Sequence, residues 1–331
     1  MLQSPQRLLN LRLLCVVSLL LIPQFVCGQS LGDAKRAVKD AMKAFAKDFA
    51  RSIKDKPHLL ATLHDKRIAE SSGLTNSWRN DGILWTHNDS GDDAWLYAMN
   101  RKGQTIARLK VRGAINVDWE DIAVGPGEQG VPALYISDLG NNNHKRNDLT
   151  IYRLEEPLLD TTKTLQKGKT ERATAYPVRY PDGNFDCETI LVHPKTGEIV
   201  VVTKEGSGKS GVYRYPLPLR PDETVVLVKV GEVTFKNTFM SGNSLLARGE
   251  RMTTGGAVRR DGLRVIVRTY TQALEWSVAP SQTLADALKG QPTQFLLPLS
   301  PQGESICYRL DGKALLTTSE KLPTPLTEIP H

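Results

Sequence analysis

Four glutamates stand at matching places in a repeated phrase. Glu70, Glu120, Glu188 and Glu304 each open a short apolar run, and 16 or 18 residues later a second apolar run ends in polar residues. Those ends are Asn88-Asp89, Asp138, Lys204-Glu205 and Ser319-Glu320. A further copy replaces the glutamate with Thr254-Gly255-Gly256 and ends in Arg268-Thr269-Tyr270. Carboxylates brought together repel one another unless a cation or hydrogen-bond donors compensate. With Asn88 and Asp89 they would make a hard, all-oxygen set, for which calcium is the natural ion. The plainer alternative is that these acids cap turns, accept backbone amides, or pair with Lys204, Arg268 and Arg309.

Other residues of the same phrases suggest companion roles. Lys204, Arg268 and Tyr270 suit an anionic substrate group such as a carboxylate or phosphate, and otherwise neutralise the glutamates. Asp138 or His87 would activate water. Other catalytic signatures are poor. No Gly-x-Ser-x-Gly elbow occurs, Gly206-Ser207-Gly208-Lys209-Ser210 lacks the leading glycine of a phosphate loop, and His58, His64, His87, His144 and His193 show no zinc spacing. Asn88-Asp89-Ser90-Gly91-Asp92-Asp93 is better read as an Asx-rich hairpin than as an EF-hand loop.

The spacing of each phrase fits two strands and a tight turn. Val, Ile, Leu, Thr and Tyr runs separated by Asp-Gly, Asn-Asp and Pro turns continue from about residue 58 onward, four runs to a copy. In the second copy they are Asp121–Val124, Ala133–Ser137, Leu149–Leu154 and Arg172–Tyr180. Four-stranded units repeated around an axis predict an all-β fold, a β-propeller of five blades, with Phe235–Met252 leaving room for a sixth. The fifth copy is short of an outer strand, which Leu59–Leu63 can supply, closing the ring. The glutamates would then sit at the channel strands, near one mouth. Trp85, Trp95, Trp119 and Trp276 are expected to pack between blades.

Residues 1–28 have the layout of a secretory signal peptide, with Arg7 and Arg12 before an apolar run ended by Pro23. Residues 29–57 hold a basic amphipathic helix over 33–56, with Val38, Met42, Phe45, Phe49 and Ile53 on one face. It would pack on the body of the protein or touch a membrane surface. Residues 58–331 form the propeller. The formal charge of +7 is local: the signal and the helix carry nearly all of it, so nucleic acid is not expected as a partner. An exported monomer follows, with a small molecule, an exported protein or a glycan as its partner. Cys187 and Cys307 belong to non-neighbouring blades and are expected as two buried thiols.

Glu-x-Ser-Gly-Leu, Trp-Thr-His-Asn-Asp-Ser-Gly-Asp, Asp-Trp-Glu-Asp-Ile-Ala, Arg-Thr-Tyr-Thr and Gln-Gly-Glu-Ser, spread from Glu70 to Glu320, resemble phrases of exported bacterial β-propeller proteins of largely unassigned function. The resemblance implies fold and export more than activity, because propellers host many chemistries. Three functions remain open: a calcium-dependent hydrolase of esters, lactones or phosphoesters, a non-catalytic binding module, and a quinone-dependent sugar dehydrogenase.

Overall fold

The computed structural model describes residues 57–331 other than 161, 164 and 301, so the expected signal peptide and amphipathic helix lie outside the described residues. Strand β1 (His58–Thr62) precedes the first blade, built from β2 (Ser71–Asn76), β3 (Ile83–Asn88), β4 (Trp95–Asn100) and β5 (Thr105–Arg112). The second blade begins with β6 (Asp121–Pro126), β7 (Pro132–Asp138) and β8 (Thr150–Glu155). The chain then crosses back as β9 (Gln166–Arg172), parallel to β5, before β10 (Thr174–Arg179) completes the second sheet. The third blade holds β11 (Cys187–Val192), β12 (Ile199–Thr203) and β13 (Lys209–Arg214). After β14 (Val225–Val226) has joined β10, β15 (Val228–Thr234) forms the third blade's outer edge. The fourth is β16 (Thr253–Val258), β17 (Arg264–Thr269), β18 (Gln272–Ser277) and β19 (Thr293–Leu296), and the last is β20 (Cys307–Tyr308), β21 (Ala314–Thr317) and β22 (Pro325–Pro330).

Five sheets of four or five strands therefore form the predicted propeller. β1 pairs antiparallel with β22, His58 against Glu328 and Thr62 against Pro325, so the fifth blade is closed by the strand expected to close it. Phe235–Met252 holds no strand but a short helix α1 (Leu245–Gly249), so no sixth blade forms there. The buried Glu250 carboxylate accepts the amides of Thr238, Phe239 and Met240 and fixes this segment. A second short helix, α2 (Leu284–Ala287), has its first amides accepted by Glu198.

Position in the blade explains the residue patterns. β2, β3, β11 and β12 are buried along their whole length, so their sequences are continuous rather than alternating, whereas β5 alternates inward Ala107, Leu109 and Val111 with more accessible neighbours. An apolar core fills each junction between blades. Tyr135, Ile151, Ile190 and Val201 lie between the second and third, and Val202, Val212, Val267 and Leu274 between the third and fourth. Each such side chain removed from water contributes about 1.5–3 kcal/mol. Near the axis there is no room for side chains. A Cβ on Gly73 would lie 2.7 Å from the Ile122 amide nitrogen, and one on Gly256 2.8 Å from the Ile266 carbonyl oxygen. Cys187 and Cys307 are free, buried thiols, as expected.

The axis is tied by Asp121, which is fully enclosed. Its Oδ1 accepts the Ile122 amide at 2.8 Å, and its Oδ2 accepts Ile190 of the third blade at 3.1 Å and Gly256 of the fourth at 3.3 Å. β11 and β16 are bulged just before these amides. Burial pushes the Asp121 carboxyl well above its usual range, and the three amides only oppose that rise. Asp121→Ala leaves three enclosed N–H groups without an acceptor. It should cost roughly 3–6 kcal/mol, about one to two for each amide, read as a lower urea midpoint. Asp121→Asn keeps one acceptor oxygen and should lose less.

Candidate functional site

The inner strands begin at one mouth of the channel, and the second strands end there. Glu120 precedes β6, Glu188 lies in β11, Glu304 precedes β20, and Asp89 follows β3. Carboxylate oxygens of Asp89, Asp118 and Glu120 lie within 4.8 Å of one another, and so do those of Glu120, Asp186 and Glu188. Glu120 belongs to both triads. It is 3% exposed, and its Oε1 is buried without a hydrogen-bond partner. Gly140 leaves the space beside it: a Cβ there would overlap Glu120 Oε1 and lie 2.5 Å from Asp118 Oδ2.

The electrostatics follow from this crowding. Burial pushes Glu120 well up, and Glu188 and Asp89 add to the rise. Burial raises Asp118 to about 6, helped by the neighbouring Asp89 carboxylate. Glu320, raised by burial and by Glu304, Asp89 and Glu70, reaches about 8. Lys204 and Arg146 oppose the field, and Arg268 opposes it at Glu304. Lys204 is paired with Glu188, and its ammonium lies 6.0 Å from the centre of the Tyr270 ring. Burial alone would discharge Lys204, but Glu188, Tyr270 and Glu304 outweigh it and keep the ammonium charged. Burial nevertheless pushes Glu188 upward, with Lys204 opposing. Arg146 pairs with Asp138 at 2.9 Å.

The expected residues are distributed unevenly over this geometry. Glu120, Glu188 and Glu304 are buried at the mouth, where burial raises Glu304 and Lys204 and Arg268 oppose the rise. Asp89 joins them at its half-buried lip. Glu70 does not join a triad; it is exposed and meets Glu320 through an isolated backbone bridge. Asn88 is not free to ligate an ion. Its amide donates to the Arg67 carbonyl and Asp92, and its oxygen accepts the Glu70 amide. Asp92 and Asp89 each accept the following amide, the Asx-rich hairpin expected from sequence.

Asp138 is held by Arg146 and by the Asp118 amide, 2.9 Å away. His87, expected near the mouth, is instead sealed inside the blade, edge-on to Trp119 at 5.5 Å. Its Nδ1 lies 3.0 Å from the Asn88 carbonyl oxygen, and burial lowers its pKa to about 4. A histidine so enclosed cannot exchange protons with a substrate at the mouth. Arg268, expected to bind an anion, is 1% exposed and spends its guanidinium on Thr269, Ser305 and Thr317, with burial lowering it to about 10. Lys204 and Tyr270 remain partly accessible.

Asp118 and Asp186 complete the two triads, although the glutamate repeat did not single them out. The signal was present: each stands two residues before a repeated glutamate, in Asp118-Trp119-Glu120 and Asp186-Cys187-Glu188. An extended Asp-x-Glu places both carboxylates on one side of the strand.

No family model and no curated relative matches the chain. Among solved structures, a chain provisionally described as an oxidoreductase (glucose dehydrogenase) from Thermus thermophilus aligns with 83% of this chain and 99% of its own length. The two are 12% identical with a TM-score of 0.43, a likeness that carries no argument about activity. The propeller assignment rests on the sheet order and register described above.

Because Asp118 and Glu320 titrate above the usual carboxylate range, their folded-state pKa values exceed the unfolded ones. The stability linked to them is complete below about pH 4 and is lost as pH rises through about 6 and about 8. In chelator the melting temperature should therefore fall between pH 5.5 and pH 8.5, and calcium should shrink the fall. A melting temperature that rises over this window in chelator would contradict the arrangement.

Proposed function

We propose that this chain is an exported, calcium-binding β-propeller whose carboxylate-lined mouth hydrolyses an ester, lactone or phosphoester. The observation that carries the proposal is the buried, unpartnered Glu120 oxygen inside two carboxylate triads. A carboxylate stripped of water and of hydrogen-bond donors is costly unless a proton or a cation meets it. The donor set is all oxygen, and the bare Cα of Gly140 lets the Glu120 and Asp118 carboxylates pack together against it, so the residues fit a hard divalent ion. Asp89, Asp118, Glu120 and Asp186 would hold it, since Glu188 already has Lys204.

A bound calcium ion would supply Lewis acidity, polarising a carbonyl or phosphoryl oxygen and acidifying water. The protein's own groups supply the rest. Asp118 and Asp89 lie close together at the half-buried lip, and whichever of the two does not hold the ion can take a proton from water and pass it to a leaving oxygen. Lys204 and Tyr270, partly accessible and close to each other, would present further donors to an anionic substrate beside the Lys204–Glu188 pair. Arg146 holds Asp138, which in turn accepts the Asp118 amide and fixes that carboxylate's backbone.

A non-catalytic binding module is the second function, favoured by the internal engagement of Asp138 and His87, the two groups expected to activate water. A quinone dehydrogenase has less support. Trp85, Trp119 and Trp276 are buried, and Arg108 covers Trp95 at 3.8 Å, so these four offer no open stacking face.

Purified protein should contain stoichiometric calcium by elemental analysis and melt at a lower temperature in chelator. Glu120→Gln should abolish the calcium-dependent rise in melting temperature while leaving the chelated fold intact. A screen of aryl esters, lactones and phosphodiesters should find turnover that chelation and Glu120→Gln each reduce at least 100-fold, about 2.7 kcal/mol of transition-state stabilisation. Calcium binding without turnover would leave the binding module; absence of both would overturn the site.

A further inference from the structure

Far along the first blade from the mouth, the parallel pair β5 and β9 carries a second concentration of charge. The register sets Arg108 beside Lys167, Lys110 beside Lys169, and Arg112 beside Arg172 across a bulge. Paired positions of neighbouring strands project to the same face. On β5 the intervening Ala107, Leu109 and Val111 are buried, so Arg108, Lys110 and Arg112 belong to the outward face. Six cations thus form two parallel rows, about 4.8 Å apart across the strands and about 6.6 Å apart along them. Two acids stand near: Asp93 pairs with Lys110 at 2.8 Å, and Glu171 is exposed within β9. Among the described residues, Lys167, Lys169, Arg112 and Arg172 have no carboxylate partner.

Lysines on an edge strand discourage a neighbouring chain from adding to the sheet. That role needs charge on β9 alone. The second row lies on β5, one strand inside the edge, where strand addition cannot occur. Its Arg108 is held in place over the Trp95 ring, 3.8 Å from the ring centre, with Lys110 5.3 Å from it. Cations so ordered have lost conformational freedom before any partner arrives. At the start of the same two strands a groove of about 660 Å3 opens, whose lining includes Lys66, Gln104 and Thr105 together with Asp65, paired with Arg67 at 2.6 Å, and Lys163, paired with Asp160 at 3.3 Å.

We propose that this strip is a docking face for a linear acidic polysaccharide, running along β5 and β9 and into the groove. The shape is a narrow line of charge, which suits a polyanionic chain. Single-stranded nucleic acid would need aromatic faces for its bases, and the nearest, Trp95, is already covered by Arg108. The face is separate from the carboxylate mouth and does not depend on calcium.

The test uses the full chain in chelator, with polygalacturonate as the probe and neutral dextran, a single-stranded oligonucleotide and phosphatidylglycerol vesicles beside it. Polygalacturonate should bind, and its affinity should fall as salt rises. Lys167→Glu/Lys169→Glu should weaken binding at least tenfold with an unchanged melting temperature, because both side chains are exposed. Lys209→Glu/Lys313→Glu, an equal change of charge on other blades, should leave binding within twofold. No binding of polygalacturonate, equal loss in the two double variants, or tighter binding of the oligonucleotide or vesicles would each overturn the proposal.

Discussion

Strands can converge on a common axis only if the polar backbone they bring there is satisfied without water. Asp121 meets that condition for three blades at once, accepting amides from its own strand, from β11 and from β16. Hydroxyls do the same at other junctions. Ser72 donates to the Glu120 carbonyl, Thr254 to the Gly303 carbonyl, and Ser71, Thr318 and Ser305 form a chain between the first and fifth blades. The small side chains of the inner strands serve both demands, since Ser, Thr and Gly fit the crowded centre and leave short-range donors for neighbouring carbonyls. Where a larger residue replaces Gly73 or Gly256, the ring cannot close to the same radius.

The same convergence concentrates charge at the mouth. Each blade delivers polar residues at the same level, so a sequence phrase that is harmless in one blade becomes an electrostatic conflict when several meet. The conflict is answered locally where a cation was available, by Lys204 for Glu188 and by Arg146 for Asp138. At Glu120 Lys204 answers it only at a distance, and Oε1 of Glu120, like Oε2 of Glu304, has no hydrogen-bond partner. Buried groups that stabilise the fold look different: Glu156 accepts Trp85 Nε1, the Trp78 amide and Ser77, with no carboxylate competitor. The contrast between a saturated glutamate and an orphaned one separates scaffold from site here.

Much of the blade structure was legible because turns and apolar runs are local signals. β6, β7 and β8 lie within a few residues of Asp121–Val124, Ala133–Ser137 and Leu149–Leu154. The segment Arg172–Tyr180 was legible only in part, because its start belongs to β9, which crosses to the first blade. Gln166–Arg172 has almost no apolar residues, so nothing in its own pattern reports a sheet whose other strand is sixty residues away. The site divides similarly. Repetition marked Glu120, Glu188 and Glu304 as equivalent, but equivalence in a phrase does not give the side chain's surroundings. Asn88, Arg268 and His87 occupy matching phrases and are turned into structural bonds. Asp118 and Asp186 announced themselves only as neighbours of glutamates, and their meaning came from the side-chain geometry that brings each beside Glu120.

The fifth blade draws β1 from one end of the propeller and β20 to β22 from the other. Its sheet therefore has no counterpart in a chain still being synthesised: four blades can assemble in order, but the fifth waits for β22. Glu304 and Glu320 belong to that late segment, while Asp89 and Glu120 belong to the earliest blades. The mouth is thus an assembly product of the completed ring, and a translation product that stops before Glu304 would carry all five triad carboxylates without the two glutamates that complete their surroundings.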